Sequence, residues 1–155
     1  GTIFLDEIGA MPLTAQVKLL AVLEDRVFYR IGGSRQIKVS ARIMAATNMD
    51  LESAVGSGEF RNDLFFRLNV VRLDLPPLRQ RPEDILLLTK HFLEKFNAKF
   101  SKNFQDVSPE AQAFLLDYPW PGNVRELRNT IERITLVENS NTLKLEPLRV
   151  LDAQK

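Results

Sequence analysis

Two adjacent prolines, Pro76 and Pro77, set the strongest limit on what this chain can fold into. A Pro-Pro step interrupts regular structure, and the character of the sequence changes across it. Before it, short apolar runs alternate with helical periodicity; after it, only helical periodicity remains. This predicts an α/β layer followed by an all-helical bundle, with the boundary near 76–82. The expected division is 1–78, then 79–140, then a linker-like tail over 141–155. A length of 155 residues accommodates one partial domain and a small second one.

The first half reads as follows. Residues 2–6 form a short buried strand, apolar and β-branched, that ends in charge. A helix starts at Pro12-Leu13-Thr14 and runs to about Asp25, with Leu13, Val17, Leu20 and Leu23 as its apolar stripe. Val27–Ile31 and Gln36–Val39 flank Gly32-Gly33 as a hairpin. Arg42–Thr47 is a second buried strand, left by the loop Asn48-Met49-Asp50. Short helices follow at Leu51–Val55 and Asn62–Leu68, and a third strand is expected over Val70–Leu75.

In the second half Pro82 opens a helix whose first turn holds Glu83 and Asp84 at the positive dipole end. Ile85, Leu88, Phe92 and Phe96 form its apolar face, and Phe100 and Phe104 keep near-helical spacing as core. Ser108-Pro109-Glu110 is a second helix start. Asn123 and Glu126 have capping-box spacing, with Val124, Leu127, Ile131 and Ile134 on one face.

Composition narrows the classes. With 45% hydrophobic and 26% charged residues, the chain is of ordinary globular type. A net charge of +1 predicts no nucleic-acid grip. Zero cysteines exclude a disulfide framework and a thiolate metal site, and favour a reducing, cytoplasmic setting. No apolar run approaches the roughly 18 residues of a membrane span. The first residue is Gly rather than Met, the mark of a processed, engineered or partial chain.

Four segments carry chemistry. Asp6 and Glu7 sit just past the end of the first strand, where parallel sheets bind ligands. Phosphate hydrolysis needs one carboxylate to hold hydrated Mg²⁺ and a second group to orient water, and such a pair supplies both. Asn48, at the end of a neighbouring strand, is placed to position water or sense a terminal phosphate, or simply to start a turn. Arg61 and Arg67, six apart on one short helix, point about 120° away from each other. One can reach a phosphate while the other pairs with Asp63 or a neighbouring subunit; a solvated, salt-bridged helix is the plainer alternative. Arg125, second in the helix that Asn123 caps, projects near a positive helix end suited to anions. His91 has no partner at ligand spacing and receives no role.

In this order and spacing the segments resemble the central ATPase domain of bacterial enhancer-binding transcription activators, the NtrC-like AAA+ proteins that act on RNA polymerase carrying sigma-54. The similarity runs from Gly1-Thr-Ile-Phe-Leu-Asp-Glu-Ile-Gly9 through Ile31-Gly-Gly33, Ala45-Ala-Thr-Asn48, Phe60-Arg61, Arg67-Leu-Asn69 and Leu75-Pro-Pro-Leu-Arg79 to Trp120-Pro-Gly-Asn-Val-Arg-Glu-Leu127. The resemblance implies the C-terminal part of a three-layer AAA+ parallel-sheet domain followed by a helical lid. It implies ATP and Mg²⁺ as cofactors, with Asp6 as the Walker B acid holding Mg²⁺ through water and Glu7 polarising the attacking water. Asn48 matches sensor I, Arg61 and Arg67 match paired arginine fingers that reach the next subunit, and Arg125 matches sensor II. It further implies a homo-oligomeric ring, a hexamer by family analogy, and the sigma-54 holoenzyme as partner. Many such proteins belong to two-component systems.

Several family parts do not occur among these residues. No Gly-x-x-x-x-Gly-Lys-Ser/Thr stands among the seven glycines. A Gly-Ala-Phe-Thr-Gly-Ala-type sigma-contacting loop, a receiver or other sensory domain and a C-terminal helix-turn-helix for DNA are also not found. The expectation is a fragment that neither binds ATP tightly nor hydrolyses it alone, inside a parent that does both. Its sheet is expected to have a gap between the sensor I strand and the strand over 70–75. Another AAA+ remodelling ATPase and a non-catalytic oligomerisation or regulatory module stand as alternatives; a DNA-binding helical domain at 82–138 lacks the clustered Lys and Arg it needs.

Overall fold

Parallel strands need a crossover of a dozen or more residues between them, and the segment from Asp6 to Ala41 provides one. The computed structural model describes residues 1–154, in two compact units: Gly1–Leu73 and Asp74 onward. The first contains β1 (Thr2–Leu5), α1 (Leu13–Asp25), the antiparallel hairpin β2 (Val27–Tyr29) and β3 (Gln36–Lys38), then β4 (Arg42–Ala45), α2 (Leu51–Gly56) and α3 (Asn62–Leu68). β1 and β4 pair in parallel, Thr2 opposite Arg42 and Leu5 opposite Ala45. Arg26, in the left-handed region at φ 56°, ends α1 by donating its N–H to the Val22 carbonyl. Ile8, Leu23, Ala54, Phe60 and Leu64 form the core of this unit.

Three expectations for this unit change. The strands read as buried are largely exposed, Phe4 at 58% and Met44 at 42%. A parallel strand becomes core only when neighbours and helices cover both faces, and β1 and β4 have only each other as partners among the described residues. Val70–Leu75 forms no strand; Val70, Val71, Leu73 and Leu75 are all strongly exposed. Its composition favours a strand, but a strand exists only through ladder bonds, and it forms none with the described residues. Lastly, the predicted stripe of α1 is rotated: Leu13 and Val17 are half exposed, whereas Gln16 is fully buried with Leu23.

The second unit packs α4 (Pro82–Phe100), α5 (Pro109–Asp117) and α6 (Asn123–Val137) around one core. The helix starts follow local chemistry. Pro82 occupies the first turn of α4, and the Ser108 hydroxyl accepts the Ala111 N–H at the start of α5. Trp120 is fully buried and donates its indole N–H to the Leu115 carbonyl at 2.8 Å. The start of α6 departs from the expected cap. Asn123 is left-handed at φ 52°, and its side-chain oxygen accepts the Leu78 N–H at 2.8 Å instead of capping its own helix. Gly122 precedes the helix and donates its N–H to the Glu126 carboxylate at 2.7 Å. A Cβ on Gly122 would lie 2.7 Å from that of Glu126, so the approach requires glycine.

Residues 141–154 are not a linker. β5 (Asp106–Val107) and β6 (Thr142–Leu143) pair in parallel, and a 3-10 segment follows over Glu146–Gln154. Leu143, Leu148 and Leu151 are buried in the helical core. Their uneven spacing matches no helix or strand period, so the sequence pattern fades just where packing continues. Lys155, the last residue of the expected tail, lies outside the described residues. Leu148→Ala is therefore expected to lower the unfolding free energy by about 2–5 kcal/mol. Urea denaturation measures this; a loss under about 0.5 kcal/mol, the surface norm, would return the segment to linker status.

Candidate active site

The β1–β4 ladder does not stop at the strand ends. The Ala46 N–H donates to the Leu5 carbonyl at 2.8 Å, and the Ile8 N–H returns to the Ala46 carbonyl at 2.9 Å. Between these bonds the chain holds Asp6 and Glu7. Glu7 is left-handed (φ 52°, ψ 41°), and its N–H donates to Asp6 Oδ1 at 2.9 Å. A bulky residue at positive φ is strained, and such strain collects at functional sites. A 3-10 turn over Ile8–Ala10 then closes, with Ala10 N–H on the Glu7 carbonyl and Met11 N–H on that of Ile8.

Gly9 in that turn sits against the segment leaving β4. A Cβ there would lie 2.7 Å from Thr47 Oγ1 and 3.0 Å from Met49 Sδ. Thr47 Oγ1 itself accepts the Met49 N–H. The acid pair and Asn48 are thereby gathered at one end of the ladder. Asp6, Glu7 and Asn48 are all exposed. Neither the Glu7 carboxylate nor the Asn48 amide has a hydrogen-bond partner among the described residues.

The donor set fits Mg²⁺ in one form only. No group of three or more acidic or histidine residues that could cage a metal occurs among the described residues. Mg²⁺ keeps several waters and is commonly held by one or two carboxylates plus substrate phosphate. Asp6, with one oxygen engaged by the backbone and the other open, meets that need as a single anchor.

Arg61 and Arg67 diverge. Arg61 precedes α3, and its guanidinium grips Asp63 through Nε–Oδ1 at 3.0 Å and Nη2–Oδ2 at 2.6 Å. Arg67, in the last turn, is directed to the Leu23 carbonyl at 3.5 Å, and it lines a cleft of about 800 Å³ with Arg26, Ile43 and Val71. Among the described residues, no ion pair joins either arginine to Asp6 or Glu7. Arg125, in the second unit, is the third residue of α6 because the cap has moved to Gly122. It is exposed and lines an open cleft of about 480 Å³ together with Asn129 and Arg133.

Gln16 escaped the sequence reading. Its fully buried amide donates to the carbonyls of Met11 (2.8 Å) and Glu59 (3.0 Å) and accepts the Arg61 N–H (2.8 Å). The signal was present: Gln16 stands three after Leu13 and four before Leu20, on the predicted apolar stripe itself.

Residues 1–74 match the family profile described as the Sigma-54 interaction domain, and residues 79–153 match that of the AAA+ ATPase lid domain. The regulatory protein AtoC of Escherichia coli K12 is 52% identical over 148 residues, covering 96% of this chain and 32% of that protein. The Sigma54-dependent transcriptional regulator SfnR of Pseudomonas fluorescens Pf0-1 is 47% identical over 150 residues, covering 97% and 41%. The crystal structure of NtrX from Brucella abortus in complex with ADP superposes with a TM-score of 0.87 at 39% identity, over 91% of this chain and 32% of that one. The chain thus spans well under half of these relatives. No helix among the described residues is long and apolar enough to cross a membrane.

The Arg61 guanidinium, bonded side chain to side chain, holds the Asp63 carboxyl below its usual range. A carboxyl lowered in the folded state adds stability above its unfolded pKa, which is lost as pH falls through the folded value. Asp63 is therefore expected to titrate below ordinary aspartate in a carbon-detected NMR titration, and Arg61→Ala to move it back up. An unmoved midpoint would mean the ion pair does not persist in solution.

Proposed function

The chain belongs to the family of NtrC-like, sigma-54-interacting AAA+ domains, and from that premise we propose that it forms the acid, sensor and lid portion of an ATP-hydrolysing transcription activator. The observation that carries the reading is the exposed Asp6-Glu7 pair, hydrogen-bonded at the end of the β1–β4 ladder and packed through Gly9 against the Asn48 loop. In the parent, ATP hydrolysis drives remodelling of sigma-54 RNA polymerase toward promoter opening, in a cytoplasmic homo-oligomeric ring, a hexamer by family analogy. DNA is held by a separate domain.

Asp6 would hold Mg²⁺. When bound, the ion would neutralise phosphate charge and so favour attack by water. The Glu7 carboxylate, free of protein partners, accepts a hydrogen bond from that water and aims its lone pair. Asn48, at the same ladder end, reports the terminal phosphate through its amide. In the ring, Arg61 released from Asp63 and Arg67 released from the Leu23 carbonyl serve the nucleotide of the adjoining subunit, where an arginine finger is worth about 10³–10⁵ in rate, or about 4–7 kcal/mol. Arg125 serves as the sensor II arginine of the lid. The uncovered apolar surface of β1, β4 and 70–75 supports this fragment reading, since parallel strands of this composition belong inside a covered sheet.

In the full-length protein Glu7→Gln is expected to leave ATP binding within about twofold and to lower turnover by about 10²–10⁴. Paired nucleotide titration and phosphate-release assays measure this, and surviving turnover would remove Glu7 from its role. The 155-residue chain alone contains no phosphate-cradling loop. It is expected to show no ATP turnover above buffer; measurable hydrolysis by it would overturn the fragment reading.

A further inference from the structure

The residues assigned to the reaction are exposed, yet one buried side chain touches the segments that carry two of them. Gln16 on α1 is fully buried. Its Nε2 donates to the carbonyl of Met11, which closes the turn that begins at Glu7. The same nitrogen donates to the Glu59 carbonyl, and Oε1 accepts the N–H of Arg61. Only this amide orientation satisfies all three backbone groups, because two are acceptors and one is a donor. The Arg61 side-chain direction is set by the Asp63 carboxylate that grips its guanidinium and by its backbone, which turns from extended (φ −74°, ψ 133°) into α3 at that residue. Arg61 gives this helix start no side-chain cap of its own; the Gln16 bond to its N–H, the Asp63 carboxylate on the Leu64 N–H (2.8 Å) and the burial of neighbouring Phe60 and Leu64 hold it.

We infer that Gln16 is a positioning residue: through one amide it fixes Arg61 relative to the turn that follows Asp6-Glu7. The consequence is a rigid tie, inside one subunit, between the acid pair that serves its own nucleotide and the arginine that serves the neighbour's. The inference rests on the reading of Arg61 as a group acting in trans. A purely structural Gln16 would support folding without regard to which subunit's site is affected. A positioning Gln16 makes the defect appear in the neighbour.

The test uses the full-length protein. Gln16→Met keeps the length of the side chain and removes the amide. It is expected to leave ring assembly intact and the KM for ATP within about twofold. A misplaced group costs about 10²-fold, so kcat should fall about 10–100-fold. Gln16→Met subunits are then mixed with Glu7→Gln subunits, each preparation being poor alone. Glu7→Gln subunits carry sound arginines, so mixed rings should regain turnover well above the sum of the parts. An Arg61→Ala plus Glu7→Gln mixture is the control and should recover likewise. Recovery in the control without recovery for Gln16→Met would overturn the positioning role. No recovery in the control would overturn the trans reading of Arg61, and the inference with it. Gln16→Leu serves as a second variant; loss of ring assembly by both would overturn positioning in favour of a structural role.

Discussion

The arrangement of the first unit depends on one parallel ladder and its continuation past the strand ends. β1 and β4 exchange bonds from Thr2 to Ala45, and the pairing then runs on through Ala46 N–H to Leu5 and Ile8 N–H to Ala46. Those last two bonds hold the backbone on either side of Asp6-Glu7. They also bring the Gly9 turn within a Cβ's reach of Thr47 and Met49, which is why no larger residue fits there. The left-handed Glu7 follows from the same constraint: the chain must leave the strand sharply enough to return Ile8 to Ala46. Crossover, turn and loop are therefore one hydrogen-bonded construction, and the acids are exposed because of how it is closed.

The same ladder accounts for what the unit leaves open. Two strands joined only to each other each present an unpaired edge, and apolar side chains such as Phe4 and Met44 stay at the surface. The segment Val70–Leu73 has strand composition without a strand's bonds. Its exposed valines line one cleft with Ile43 and Met44 of β4, so both edges of the expected gap border a common space, which Arg26, Arg42 and Arg67 also line. An uncovered apolar surface of this kind marks a place where further chain or another molecule packs.

How much was legible beforehand follows from the range of the forces involved. Two helix starts were readable because their chemistry is local: Pro82 in the first turn of α4, and Ser108 with Ala111 at the start of α5. The Gly32-Gly33 hairpin was readable for the same reason. Strand burial and the fate of 70–75 were not, since both depend on partners distant in sequence. The packing of Leu143, Leu148 and Leu151 escaped because three separated leucines have no period. Asn123 shows the limit of local reading: Glu126 bonds Gly122 rather than Asn123, and a distant backbone donor, Leu78, claims the Asn123 side chain. Of the candidate site, the residues themselves were visible as motifs, and the Asp6-Glu7 and Asn48 segments do meet. The tie through Gln16 was not read, because a lone glutamine on an apolar stripe gains meaning only when its three partners are in view.

Polar groups in the first unit divide by burial in a way that bears on function. Asp6, Glu7, Asn48 and Arg61 are exposed, and only Arg61 has a charged partner, the equally exposed Asp63. Gln16, which bonds only to backbone, is sealed in. A group that must meet a ligand keeps its bonding capacity open to solvent, where an ion pair is screened and easily exchanged. A group that must hold geometry gains from the low-dielectric interior, where its bonds are stronger and a missing partner is costly. Exposure of the residues proposed to react and burial of the amide proposed to brace them are two sides of one requirement. The backbone around the acids and Arg61 must stay fixed while their side chains remain free to change partners.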